Sequence, residues 1–105
     1  MSNFDEFWPF YLREHSRPLT RALHFAGTTL SLLIAVSALA LQRPAFLLAA
    51  LVAGYAFAWV GHFFVEHNRP ATFKYPLWSF RADFKMWALA VTGRLGAELQ
   101  RAGVG

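Results

Sequence analysis

Two long stretches of this chain carry no formal charge, and only three residues separate them. The first runs from Phe25 to Leu41 and the second from Ala45 to Phe64, with Gln42-Arg43-Pro44 between. A helix rises about 1.5 Å per residue, so about 20 apolar residues cross the hydrocarbon core of a bilayer. The second run meets that length, and the first meets it once the less apolar Leu19–His24 turn is included. So short a linker predicts a tight antiparallel hairpin. Gly54 and the alanines at 49, 50, 53, 56 and 58 are small enough to let the two helices approach closely. The expected fold is therefore all-α: an integral membrane helical protein with a two-span hairpin, and at 105 residues a single domain.

Composition agrees. Hydrophobic residues make up 56% and charged residues 15%, against about 25% charged in a soluble globular chain. Eleven Phe, four Trp and three Tyr suit interfacial belts or a lipid pocket. The absence of Cys excludes disulfides, thiolate metal sites, iron–sulfur clusters and thiol nucleophiles. The net charge of +4 reads as affinity for membrane lipid with anionic headgroups. No recognition motif or long basic run supports nucleic acid as a partner.

The flanks supply smaller elements. "MSNFDEFWPFYLREH" carries early acids and lacks a basic start, so it does not read as a signal peptide. Asn3 caps a first helix, with Glu6 in capping-box spacing. Phe4, Phe7, Trp8, Tyr11 and Leu12 form an aromatic stripe. The stripe predicts an interfacial amphipathic N-terminal helix, with a soluble-type packing face as the alternative and Pro9 marking a kink or a later start. Ser16 is the expected cap of the first span, with Pro18 just inside it. Beyond Asn68-Arg69-Pro70, "ATFKYPLWSFRADFKM" reads as a loop at headgroup level. A C-terminal amphipathic helix is expected from Arg81 or Asp83 to Gln100, and Arg94 and Glu98 make it a poor span. Arg13, Arg17 and Arg21 precede the first span and Arg69, Lys74, Arg81 and Lys85 follow the second, while the turn holds only Arg43. The positive-inside rule then puts both termini in the cytoplasm, at the inner membrane of a bacterium or an ER-like membrane of a eukaryote.

The four histidines fall at one level of this hairpin. His15 and His24 precede the first span, and His62 and His67 close the second. His62 and His67 are five apart, about 140° around an ideal helix. They share a metal only if the helix end unwinds near Asn68 or if other helices complete the site. Imidazole suits Fe, Zn, Cu and Ni, and with no thiolate available iron or zinc leads. A lone His is more often an interfacial or satisfied core residue. Glu66 can be a fifth ligand, an acceptor from a ligating His, or an ion-pair partner of Arg69, the latter two being favoured.

"YLREHSRPLTRALHFAGT" followed by "GHFFVEHNRPATFKYPLWSFRADFKMW" resembles the small membrane family of 2-hydroxy fatty acid dioxygenases. Its yeast member acts in the alpha-oxidation branch of phytosphingosine breakdown, and the family was long a domain of unknown function. The resemblance runs from Phe4 to about Trp87. It implies an enzyme that uses Fe(2+) and O2 to remove one carbon from a 2-hydroxy fatty acid, releasing CO2. It also implies that His15, His24, His62 and His67 bind the iron and are catalytic. A 2-hydroxy acid can chelate a metal through its carboxylate and hydroxyl, and its acyl tail needs an apolar slot open to the bilayer. Arg69, Arg81 and Lys74 are candidates to bind the substrate carboxylate, or else headgroup anchors. Asn68 can bond the substrate hydroxyl or cap the helix end, and Asp83 can orient a ligating His or pair with an Arg. Two other classes stay open: a bis-histidine haem protein and a non-enzymatic lipid-binding membrane protein. A homo-oligomer stays open as well.

Overall fold

A computed structural model describes residues 1–104. Five α-helices follow in order: α1 (Phe4–Arg13), α2 (Pro18–Ala40), α3 (Ala45–Val60), α4 (Pro76–Val91) and α5 (Leu95–Arg101). α3 runs on without a break into a π-helical segment, Gly61–Glu66, and a 3₁₀ turn at Ala71–Phe73 leads to α4. There is no strand among the described residues.

Pro18–Ala40 and the continuous Ala45–Glu66 helix are long and apolar enough to cross a membrane, and only 22% of the most apolar window of either is buried. A core helix of a water-soluble protein would be mostly covered. Leu33, Val36, Leu39, Leu48 and Val52 are instead bare along the far half of the hairpin, as lipid-facing positions require. Length, composition and bareness together fit a membrane hairpin. Its turn is a tight helix C-cap: Gln42 takes a left-handed φ of 53°, and the Arg43 amide donates to the Ala38 carbonyl at 2.9 Å. That 6→1 bond satisfies a carbonyl at the end of α2.

The remaining helices pack across the open end of the hairpin. Asn3 caps α1, accepting from the Glu6 amide at 2.8 Å, although the Glu6 carboxylate accepts from Ser2 rather than from Asn3. The aromatic stripe is buried inside the protein. Phe4, Phe7, Trp8, Tyr11 and Leu12 form the core with Ala82 and Met86 of α4 and with Ala102 and Val104 beyond α5. The alternative of a packing face therefore describes the stripe better than an interfacial one. Pro9 lies inside a continuous helix.

Two local expectations are corrected. Ser16 does not cap α2. The N-cap is Arg17, with no side-chain cap of its own, and the Glu66 carboxylate, reaching from the end of the second span, accepts from both the Ser16 hydroxyl and the Arg17 amide. The last helix starts earlier than Arg81, because Pro76 at its first turn has no amide to leave unpaired and has φ preset for a helix. It also stops at Val91, where Gly93 turns left-handed at φ 72°, so the segment to Gln100 is two helices. The close contact expected around Gly54 is present, its carbonyl lying 3.1 Å from where a Cβ at Gly27 would stand, and Gly27 on α2 is the glycine that contact requires. A Cβ at Gly27 would lie 2.6 Å from the Phe57 Cβ, whereas one at Gly54 would meet Ser31 at an ordinary 3.5 Å. Gly27→Ala should therefore destabilise the protein by about 1–3 kcal/mol through overpacking. Gly54→Ala should be neutral or gain up to about 1 kcal/mol of helix propensity. Thermal unfolding in detergent reads the difference, and equal effects would refute this packing.

A candidate metal centre of three histidines

His15 follows the end of α1, His24 lies on α2, and His62 lies in the π-helical segment. All three are buried. Their Nε2 atoms face one another, His15 to His24 at 2.9 Å and His24 to His62 at 3.3 Å. One ligand atom from each lies within 4.8 Å of the others.

The opposite ring nitrogens explain this convergence. His15 Nδ1 lies 2.6 Å from the Tyr11 carbonyl, which can only accept, so the proton is on Nδ1. The Asn68 amide donates through Nδ2 to the Glu14 carbonyl at 3.0 Å, and its Oδ1 is thereby turned to His62 Nδ1 at 2.7 Å. His62 must also donate from Nδ1. His24 Nδ1 lies 3.6 Å from Asp83 Oδ1, in electrostatic reach though too long for a hydrogen bond. The same carboxylate oxygen accepts the Tyr11 hydroxyl at 2.5 Å. His15 and His62 thus point bare Nε2 lone pairs into one cell, and the Asp83 carboxylate favours the same tautomer for His24.

Burial pushes His15 well below the ordinary histidine range, which keeps it in the neutral form that ligates. Burial pushes the Asp83 carboxyl up to about 7, with the Tyr11 hydroxyl bond pulling the other way. The Tyr11 phenol is raised by burial and by Asp83, so it stays a donor.

The residues present fit a metal ion. Nitrogens bound at about 2.1 Å to one ion, at angles between octahedral and tetrahedral, lie about 3.0–3.4 Å apart. The 3.3 Å separation lies within that range and the 2.9 Å separation just below its lower edge. Hydrogen-bonded Nδ1 positions are the arrangement that orients metal-ligating imidazoles.

The π-helical turn makes this possible. Gly61 lets the end of the second span close on Thr20 of α2, where a Cβ would come within 3.1 Å of the Thr20 methyl. His67 then takes a left-handed conformation, φ 59° and ψ 42°, and the Asn68 amide bonds the His62 carbonyl at 2.9 Å. The helix end does unwind near Asn68. The unwinding aims the Asn68 side chain, and the His67 imidazole is exposed and outside the three-histidine group.

The other predicted residues are distributed as follows. Asn68 and Asp83 back the ring nitrogens of His62 and His24. Glu66 lies on the α2 N-terminus and hydrogen-bonds no histidine. The Arg81 guanidinium lies over the Phe4 ring at 4.0 Å, the Lys74 ammonium lies 5.7 Å from the Tyr75 ring centroid, and Arg69 is exposed. None of these three cations lines the cavity at the histidines. The basic residue brought nearest is Arg21, which donates to the His15 and Ser16 carbonyls and lines a recess with His24 and Asp83.

Sequence reading missed Tyr11 and Ser79. Tyr11 stands four residues before His15, so its carbonyl sits where a following ring can reach it, and that spacing was a usable signal. Ser79 has a buried hydroxyl with no partner and lines the small cavity shared by the three histidines. Nothing in the sequence marks it.

Residues 1–95 match the family described as 2-hydroxy-palmitic acid dioxygenase Mpo1-like. The chain belongs to that family. No curated protein and no solved structure matches it. The family description names a dioxygenase of a 2-hydroxy fatty acid, and the three-histidine group is the part of the chain suited to hold a metal for such chemistry.

Asn68→Ala should lower metal affinity about 10–100-fold, the usual loss when the group orienting a ligating His is removed. His67→Gly, which suits a left-handed position, should leave affinity near the parent value, whereas Ala at His15, His24 or His62 should abolish tight binding. Metal-competition titrations decide this. Loss of binding in His67→Gly would return its imidazole to the ligand set.

Proposed function

We propose that this protein is a non-haem Fe(II) dioxygenase that cleaves 2-hydroxy fatty acids to the one-carbon-shorter fatty acid and CO2. The reaction balances with O2 as a four-electron acceptor: the acid and O2 give the shortened acid, CO2 and water, with no other reductant. Family membership supports the substrate class. The observation that carries the reading is the set of three Nε2 atoms facing one another, with the Nδ1 protons of His15 and His62 committed to acceptors.

In this reading His15, His24 and His62 hold the iron on one side and leave its other positions open. When bound, iron supplies chelation of the substrate's hydroxyl and carboxylate and activation of O2. The Tyr11 carbonyl and Asn68 fix the rings of His15 and His62. Asp83, held by the Tyr11 hydroxyl, steadies His24. The unpartnered Ser79 hydroxyl is placed to bond an oxygen of the substrate head. His67 contributes the left-handed backbone that turns Asn68 inward. Arg69 and Lys74 sit at headgroup level, and the charge asymmetry of the flanks puts both termini in the cytoplasm.

An axial bis-histidine haem requires two imidazoles facing each other across a macrocycle. Rings whose Nε2 atoms are 2.9 and 3.3 Å apart leave no such gap, and this favours the non-haem reading. Protein loaded with iron under anaerobic conditions should consume O2 on addition of 2-hydroxypalmitate and yield the fifteen-carbon acid, with no Soret band. A Soret band, or iron loading without O2 uptake, would overturn the proposal.

A further inference from the structure

A second cavity, about 280 Å³, begins at His24 and Asp83 and runs between the two spans, flanked by Phe80 and Phe84 of α4. Its lining follows one face of each helix: His24, Thr28, Ser31 and Ala35 on α2, and Ala58, Gly54, Ala50 and Leu47 on α3. Steps of three or four residues keep to one side of a helix. The antiparallel order pairs the His24 end with Ala58 and the Ala35 end with Leu47. Polarity falls along the way. His24, Asp83, Thr28, Tyr55 and Ser31 lie in the first part, and beyond Ser31 and Gly54 the walls are Leu and Ala only. Small residues leave the space open, and Leu47 at the far end is 44% exposed.

We infer that this slot is the acyl-chain subsite, read with its head at His24 and its tail at Leu47, and that Ala35 is the position that sets tolerance for tail length. The inference rests on the dioxygenase reading for the identity of the head group. Eleven helical residues from 24 to 35 span about 16 Å. A zigzag of about 1.5 Å carbon–carbon bonds advances about 1.3 Å per methylene, so the slot holds about a dozen methylenes. Its far end opens on the lipid face, so a longer tail continues past Ala35 into lipid. A bulky side chain at Ala35 would close that end and shorten the slot by one helical turn, about four methylenes.

The test uses full-length protein in neutral-lipid nanodiscs, iron-loaded without oxygen. Two photoreactive 2-hydroxytetradecanoates are mapped by mass spectrometry, one with a diazirine at the terminal carbon and one with it beside C3. The terminal probe should label Leu32, Ala35, Leu47 or Leu51, and the C3 probe Thr28, Tyr55 or Ala58. Labelling of the outward residues Leu33, Val36 or Val52, or the reverse order, would overturn the inference. In Ala35→Phe, competition by a sixteen-carbon 2-hydroxy acid against the C3 probe should fall about tenfold, because the added ring overpacks the end of the slot. Competition by a ten-carbon acid should be unchanged, and an equal loss for both would count against a length-setting role. Slot labelling without shortened acid after oxygen is admitted would retain the slot and remove the dioxygenase reading. Shortened acid with labels outside the slot would do the reverse.

Discussion

Everything at the polar end of this protein depends on where two imidazole protons sit. The Tyr11 carbonyl and the Asn68 amide each claim an Nδ1 proton, so His15 and His62 must turn bare nitrogen lone pairs toward His24. Converging lone pairs in a buried cell are relieved by a proton on His24 Nε2, which the 2.9 Å contact to His15 can accommodate, or by a metal ion. α1 and α4 supply Tyr11, Ser79 and Asp83 to the walls of the cell, and the hairpin brings its two halves to one level. The helices thus hold three buried imidazoles in an arrangement that could take an ion.

The hairpin was legible because two charge-free runs of spanning length admit few alternatives, and the short turn sets their direction. The level of the histidines followed from the same runs. The set that converges was less legible, because periodicity alone cannot show a π-helical turn. On an ideal helix His62 and His67 are 140° apart, and nothing in the local sequence states that Gly61–Glu66 is wound more loosely. The aromatic stripe of α1 has the same pattern whether it meets lipid or protein, and only α4 and α5 decide that it is buried. Spacing offers Glu66 a histidine or Arg69, its neighbours in sequence, while its partners are about fifty residues back at Ser16 and Arg17. Long-range polar pairing of that kind leaves no trace in a single chain. The family resemblance supplied the chemistry that spacing left open, and it did so for the histidines as residues rather than for the atoms each one presents.

Glu66 also ties together the two halves of the site. By accepting from the start of α2 it fastens the segment that carries His15 and His24 to the segment that carries His62. Arg21 adds to this by gathering the His15 and Ser16 carbonyls. These contacts involve no histidine ring nitrogen, yet they fix the spacing of the three histidines.

The three converging histidines come from chain segments separated by 9 and 38 residues. A bound ion would therefore act as a reversible cross-link, present in the folded chain and absent in the unfolded one. Such a link makes resistance to unfolding a function of free metal concentration, growing with its logarithm above the dissociation constant. The cap would feel this far more than the far half of the hairpin, which holds none of the three histidines. In a cell short of metal, the spans would stay inserted while the polar end loosened, and proteolytic turnover would follow metal supply rather than synthesis.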